Sequence, residues 1–308
     1  MDASSGPGPG RTVGVLGLGR MGLPIAENLL DSGFDVVGYC RSGCPALVEA
    51  GGAMGASPAE VAERSDVLMS ILPGTSEVEE VITGPGGTLA GLRAGAVHIE
   101  MSTIDPAVKH RLRDAVRSAG GDLLDAPISG SPAMVRPRRA TTFASGDPNA
   151  VGRVADVLGA VSGPWVSTGE LGTGAHLKYI SSMLVAAHTV AAAEALVMAQ
   201  RSGMDLDLVL KTLNGSIAGS ALLAQRGPLM AERAWTPAPG PVETLHAILE
   251  QVDRYVAELG MPAPVFTSAK AVFDKAVADG WSQLDIACVH DQISGQQALT
   301  EHSFAEQA

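Results

Sequence analysis

Cysteine is scarce in this sequence: Cys40, Cys44 and Cys288 are the only three, they form no C-x-x-C pair, and their number is odd. Neither a disulfide framework nor a cysteine zinc site is therefore expected, and a reducing cytoplasm suits such usage. His110, His176, His188 and His290 show no metal-like clustering either, so no metal is expected. Positive charge is also short. With 21 Lys and Arg against 33 Asp and Glu the net charge is −12, and the cations form no long stripe, which disfavours nucleic acid and anionic membrane as partners. The start, MDASSGPGPGR, lacks the basic stretch and apolar core of a signal peptide. No run of about 18 apolar residues follows to suggest a membrane span, and no internal repeat is present. The expectation is a soluble cytoplasmic protein with a disordered tail at residues 1–10.

What the sequence does have is apolar material, 46% of 308 residues, enough for two domains each with its own core. From Thr12 to about Gly169, short β-type runs alternate with helical stretches. The runs are TVGVLG (12–17), FDVVGY (34–39), DVLMSIL (66–72), AVHIEM (96–101), GDLLDA (121–126) and RATTFASG (139–146), with a further short strand near Val166. Strands apolar on both faces and alternating with helices predict an α/β domain with a doubly wound, mostly parallel sheet over residues 11–172. After Gly174 the pattern changes. Residues 174–203 are rich in Ala, Leu, Val and Met and contain no proline, which predicts one helix of roughly 45 Å at about 1.5 Å per residue. Helical spans follow at 205–214, 218–232, 242–259, 264–279 and about 282–295, with AWTPAPGP (234–241) as a loop. Residues 173–298 thus read as an all-α domain entered along the long helix, and 299–308 as a frayed tail.

The first strand runs straight into a glycine loop, VGVLGLGRMGLPIAENLL. Gly17 suits the tight turn, Gly19 lets backbone N–H groups approach a pyrophosphate, and Gly22 permits close helix-to-strand packing. The helix that follows offers free N–H donors and the positive end of its dipole to the phosphates. Gly17, Leu18, Gly19, Arg20, Met21 and Gly22 are accordingly the expected dinucleotide cradle. The end of the second strand bears on which dinucleotide. An acid there accepts from the ribose hydroxyl of NAD, whereas NADP needs a cation for its additional phosphate. The sequence is GYCRSG, with Cys40 where the acid would stand, then Arg41 and Ser42. Arg41 can pair with the phosphate and Ser42 can donate a hydroxyl hydrogen bond, so NADP is expected over NAD.

GVLGLGRMGLPIAENLL, ILPGTSEVEEVI, IEMSTIDP, LLDAPISGSP and GTGAHLKYISSML, in that order and spacing, resemble the β-hydroxyacid dehydrogenases, the group of 3-hydroxyisobutyrate dehydrogenase, tartronate semialdehyde reductase and glyoxylate reductase. The resemblance spans about residues 12–295. It implies a Rossmann domain, an all-α domain of the kind found at the C-terminus of 6-phosphogluconate dehydrogenase, a long interdomain helix, an active site between the domains, and a homodimer or homotetramer. By the same resemblance Lys178, in the G-x-G-x-x-x-K segment, is the catalytic acid/base, and the chemistry agrees. An ammonium beside the reacting carbonyl can stabilise the developing oxyanion and give up its proton, and desolvation would lower its pKa toward neutrality. The substrate segment D-A-P-V-S-G-G becomes DAPISGSP, so the resemblance assigns a substrate carboxylate to Ser129, Gly130 and Ser131. It places Thr103 beside substrate and nicotinamide, and Leu72 and Pro73 over the cofactor.

Three departures bear on the substrate. Where the family has an Asn pair after its lysine, Ser181 and Ser182 stand, and Ser182 could reach substrate only at closer range or through a water. The family segment H-K-D-L appears as LHAILEQ, keeping His246 but putting Ala247 and Ile248 in place of the charged pair. The glycine-rich stretch after the substrate loop is AMVRPRRATTF, and its Arg136, Arg138 and Arg139 could hold a larger anionic substrate or simply be solvated. The expected activity is hydride transfer between NADP(H) and a small hydroxy acid, semialdehyde or keto acid. The alternatives are imine or ketone reduction on the same architecture, and an NADP-binding protein without catalysis.

Overall fold

Nine strands make up the sheet of the computed structural model, which describes residues 10–296. The expected tails at 1–10 and 299–308 lie outside those residues except for Gly10. The strands are β1 (Thr12–Leu16), β2 (Asp35–Tyr39), β3 (Ala53–Met54), β4 (Val67–Ser70), β5 (Val97–Glu100), β6 (Asp122–Asp125), β7 (Ile128–Ser129), β8 (Thr141–Ser145) and β9 (Trp165–Gly169). They lie in the order β3-β2-β1-β4-β5-β6-β8-β7, with β9 on β8. The six on the β3 side are parallel throughout, and β8 runs antiparallel to β6 and β7. This is the doubly wound, mostly parallel sheet that the apolar runs predict. β3 and β7 have two residues each, too short for a period-two pattern to declare itself.

The chain forms two compact units, Met1–Lys178 and Tyr179–Ala308. In the first, Val13, Val15, Val67, Met69 and Ile99 from the central strands are buried with Ile25 and Leu29 of the helix Gly22–Asp31. Each side chain of that size withdrawn from water contributes about 1.5–3 kcal/mol before entropy is counted. Local signals set the helix that follows β5. Asp105 accepts from the Ala107 N–H at 2.7 Å and Pro106 occupies the first turn, so the helix Pro106–Ser118 starts at a fixed point.

The helix Thr173–Arg201 carries the chain from the first unit into the second. By length and composition alone it could cross a membrane, although Lys178 and Glu194 interrupt its apolar run. Within the second unit its Tyr179, Ala186, Ala193 and Leu196 are core residues beside Trp235, Leu249 and Phe273, the packing of a core helix in a helical domain. Helices Leu206–Asn214, Ala221–Glu232, Val242–Glu258 and Pro264–Ala278 complete that unit close to their expected spans. The last expected helix, about 282–295, is a short 3₁₀ turn, Ile286–Cys288, leading into Val289–Ser294. Asp285 breaks it: its carboxylate accepts from the Gly240 and Ala287 N–H groups, which fixes a cap where a longer helix would need a continuous turn.

Candidate active site

The three glycines of the first loop have separate reasons to be there. Gly17 has φ +96° and donates its N–H to the Tyr39 carbonyl at 2.9 Å. A Cβ on Gly22 would lie 1.8 Å from the Gly17 carbonyl oxygen, whereas one on Gly19 would meet nothing within 4 Å. Gly17 and Gly22 therefore serve the turn and the packing, and Gly19 leaves backbone open to solvent. The helix Gly22–Asp31 has no side-chain cap and no acid in its first turn, so no protein charge offsets the positive end of its dipole. The Leu23 N–H is taken by the Gly19 carbonyl and Pro24 has none, which leaves the loop backbone before the helix as the donor set for an anion. The loop fits the diphosphate of a dinucleotide.

The remaining sequence-derived candidates of this unit leave the same edge of the sheet. β1, β2, β4, β5 and β6 are parallel, and the cradle, Arg41 and Ser42, Leu72 and Pro73, Thr103, and the segment leading to Ser129 follow their carboxyl ends. The strand order reverses between β1 and β4, the switch point where ligands bind in such sheets. Arg41 and Ser42 are exposed, and among the described residues no ion pair engages the Arg41 guanidinium. The Leu72 N–H donates to Ser102 Oγ at 2.9 Å, tying the loop after β4 to the turn that bears Thr103. Gly130 has φ +148° and a Cβ there would press within 2.8 Å of the Ala140 side chain, so the Ser129–Ser131 turn requires glycine at its centre.

Lys178 is half-buried on the second turn of the long helix, and burial pulls its pKa down to about 8. The start of that helix is fixed. The Ala175 N–H donates to Asp125 Oδ2 at 2.8 Å and the Gly174 N–H to Ser145 Oγ at 3.1 Å. A Cβ on Gly174 would lie 2.4 Å from the Phe143 carbonyl, so only glycine lets the helix end sit this close to β8. Ser182 follows Lys178 by four residues, on the same face of the helix, and is buried in the second unit.

Sequence reasoning missed the group beneath this helix end. Lys109 is fully buried, and its Nζ donates to Asp125 Oδ1 at 2.5 Å and to the Ser102 carbonyl at 2.7 Å, while Glu100 Oε2 lies 2.7 Å away as an ion pair. Burial alone would lower the lysine's pKa, but the two carboxylates raise it; burial holds the Glu100 carboxyl above its usual range despite the lysine. A signal was present. Lys109 falls in the buried stripe of its helix with Val108, Leu112 and Val116, and Glu100 and Asp125 are buried carboxylates at the ends of β5 and β6.

Two arginines of the basic loop are engaged within the protein. Arg136 pairs with Glu27 at 3.0 Å and Asp31 at 2.6 Å and donates to Asn28 Oδ1 at 2.8 Å. Arg138, at φ +56°, donates to the Asn28 carbonyl at 3.0 Å and Ser32 Oγ at 2.6 Å. Both brace the end of the helix Gly22–Asp31, and Arg139 is exposed. In the second unit, His246 Nε2 lies 2.9 Å from Asp274, whose carboxylate, with Glu250, also binds Lys270. A metal could be held by His246, Glu250 and Asp274 on distance alone, but the Lys270 ammonium already supplies the cation there. It also puts a Lys–Asp pair beside His246 from another helix, where Ala247 and Ile248 supply none.

Known proteins match this arrangement along nearly its whole length. Residues 12–169 match the family described as the NAD binding domain of 6-phosphogluconate dehydrogenase, and residues 172–291 that described as NAD-binding of NADP-dependent 3-hydroxyisobutyrate dehydrogenase. An L-threonate dehydrogenase from Cupriavidus necator is 31% identical over 294 residues, 91% of this chain and 95% of that protein. A 3-hydroxyisobutyrate dehydrogenase structure from Salmonella typhimurium superposes with a TM-score of 0.83 at 26% identity, over 92% of this chain and 99% of its own. An imine reductase variant from Myxococcus stipitatus shares the fold at 19% identity and a TM-score of 0.61, over 92% and 99% of the two chains.

Proposed function

The chain belongs to the β-hydroxyacid dehydrogenase family, whose members are pyridine-nucleotide-dependent dehydrogenases and reductases, and on that premise we propose that it interconverts a small hydroxy acid and its semialdehyde or keto acid with NADP, using Lys178 as acid/base. The observation that carries the reading is the state of Lys178. Its pKa is lowered by burial to about 8, on a helix end pinned by Asp125 and Ser145. An amine with that pKa is present in both protonation states near neutrality, as a group that gives a proton in one direction and takes it in the other must be.

A nicotinamide held in this site would supply the hydride in reduction and accept it in oxidation. Lys178 holds the proton that the carbonyl oxygen receives as the alkoxide forms, and its positive charge lowers the energy of that oxyanion before transfer. In the reverse direction the neutral amine withdraws the hydroxyl proton. Ser129, Gly130 and Ser131 would receive the substrate carboxylate through hydroxyl and backbone N–H donors, with Thr103 in the turn after β5 as a further contact. Gly17 to Gly22 would hold the diphosphate, Leu72 and Pro73 would cover the nucleotide, and Arg41 with Ser42 would take the additional phosphate of NADP. We further read the protein as a cytoplasmic homodimer or homotetramer acting on a small anionic substrate.

One set of assays separates this from the other readings. NADPH oxidation is followed with glyoxylate, succinic semialdehyde and a cyclic imine, for the wild type and Lys178→Ala. The proposal expects turnover of a carboxylate-bearing carbonyl and its loss, by several orders of magnitude, in the folded variant. Preference for the imine would support the second reading, which Ser181, Ser182, Ala247 and Ile248 favour by removing polar groups the family usually carries. Tight NADPH binding without turnover on any of the three would indicate a binding protein.

A further inference from the structure

Glu100 and Asp125 are direct partners across the parallel pair β5 and β6. Two buried carboxylates in that position repel one another, and one would be driven to take up a proton unless a cation lay between them. Lys109 is that cation. Its Nζ donates to Asp125 Oδ1 and the Ser102 carbonyl, and lies 2.7 Å from Glu100 Oε2 as an ion pair, so it contacts both carboxylates at once.

The partners of those acceptors are the segments that the proposed chemistry uses. Glu100 Oε1 accepts from the Ser102 N–H at 2.8 Å, and Ser102 Oγ in turn accepts from the Leu72 N–H. The other oxygen of Asp125 receives the Ala175 N–H, and the Ser145 hydroxyl, which donates to it at 3.1 Å, receives the Gly174 N–H. Asp125 thus stands at the N-terminal end of the long helix, where the helix dipole favours an acidic side chain. One buried ammonium thus links the loop after β4, the turn before Thr103, the strand leading to Ser129 and the first turn beneath Lys178.

We propose that Lys109 is a positioning residue for proton transfer at Lys178: by holding the Asp125 carboxylate in place, it fixes the helix end that presents Lys178 and ties it to the turn that precedes Thr103. Lys109 is fully enclosed, so it acts through Asp125 and Ser102 and not by contact with substrate. The inference rests on Lys178 being the proton donor, and its test keeps the two apart.

Lys109→Met and Asp125→Asn change the buried charge. Ser145→Ala removes one hydroxyl, keeps every charge and serves as the variant that folds if the others do not. Each is compared with the wild type and with Lys178→Ala for kcat, KM, the pH profile of reduction, and amide hydrogen exchange at residues 173–178. The expected result is faster exchange at Gly174 and Ala175, kcat lower by tenfold or more, about tenfold being one step of 1.4 kcal/mol in barrier, a moved high-pH limb, and a KM for NADPH within about twofold of the wild type. If Lys178→Ala is inactive while the folded variants keep the wild-type kcat and pH profile, the positioning role is wrong and the functional reading stands. Loss of kcat with an unmoved pH profile and unchanged exchange also overturns it. If Lys178→Ala retains turnover, the functional reading falls first and takes the inference with it.

Discussion

The α-carbon of Gly22 faces the carbonyl oxygen of Gly17 so closely that an added Cβ would stand 1.8 Å from it. Nothing flexible can yield there, because the opposing atom is backbone within the turn that Gly17 makes at φ +96°. Gly22→Ala is therefore expected to cost on the order of 3 kcal/mol of stability, at the upper end of single-substitution effects. Gly19→Ala is expected to leave the thermal midpoint near that of the wild type, since nothing lies within 4 Å of its Cβ. It should instead weaken NADPH binding by about tenfold or more, 1.4 kcal/mol per decade, because the methyl occupies the line of phosphate approach. Thermal unfolding and a fluorescence titration of NADPH check both. Equal effects of the two substitutions on stability would show that the loop does not divide its duties this way.

The reasons for Gly17 and Gly22 were legible before the structure, and so were five of the six helices expected after Gly174 and the order of the α/β runs. Glycine in a strand–loop–helix frame and an unbroken Ala-rich run are local signals, and local signals survive in sequence. The network under Lys178 was not legible as a network. Lys109, Asp125 and Ser145 are brought together only when α/β crossovers stack β5, β6 and β8 side by side, and nothing in the spacing of residues 109, 125 and 145 records that contact. The partners of the arginine loop were hidden for a related reason. Its partners Glu27, Asn28, Asp31 and Ser32 lie about a hundred positions earlier, so the charges looked unspent.

Arg138 and Arg136 then predict a stability effect where a binding effect might be sought. Arg138→Ala removes hydrogen bonds to the Asn28 carbonyl and Ser32 Oγ but also relieves little of the strain at φ +56°, since alanine too is disfavoured there. A loss of about 1 kcal/mol is expected for these half-exposed contacts. The affinity of anionic inhibitors such as oxalate should be unchanged. Chemical denaturation and inhibition assays on Arg138→Ala and Arg136→Ala decide it, and a selective loss of inhibitor affinity at full stability would restore the substrate role.

Lys178 carries a sign that can be read without any substrate. Its pKa is about 8 when folded and 10.5 when exposed, so between those values the unfolded chain binds the extra proton. Stability contributed by this site therefore rises with pH across that window, and its full cost is present below about pH 8. Lys178→Met should stabilise the protein at pH 7 by up to about 3 kcal/mol at 1.36 kcal/mol per pH unit of that window, and the gain should vanish by about pH 10.5. The same pKa implies that carbonyl reduction falls as pH rises through about 8 while alcohol oxidation climbs. Paired unfolding curves at pH 7 and 10 test the first statement; a variant no more stable than the wild type at pH 7 would mean that the ammonium is well solvated.

Arg41 is the residue on which the choice of cofactor turns. It is exposed after β2, and none of the described ion pairs holds it, so its guanidinium is free to meet a phosphate. Cys40, which precedes it, offers no carboxylate to accept from the ribose hydroxyl of NAD or to repel the phosphate of NADP. A charge-assisted, two-pronged contact of this type supplies about 1.5 to 3 kcal/mol, so Arg41→Ala should raise the KM for NADPH by roughly 10- to 100-fold. Ser42→Ala, which loses one neutral donor, should raise it by about two- to tenfold. Neither change should alter the KM for NADH by more than about twofold, because NADH presents no phosphate at that position. Steady-state assays with both cofactors check this; a wild-type preference for NADH that Arg41→Ala leaves untouched would remove the assignment of NADP.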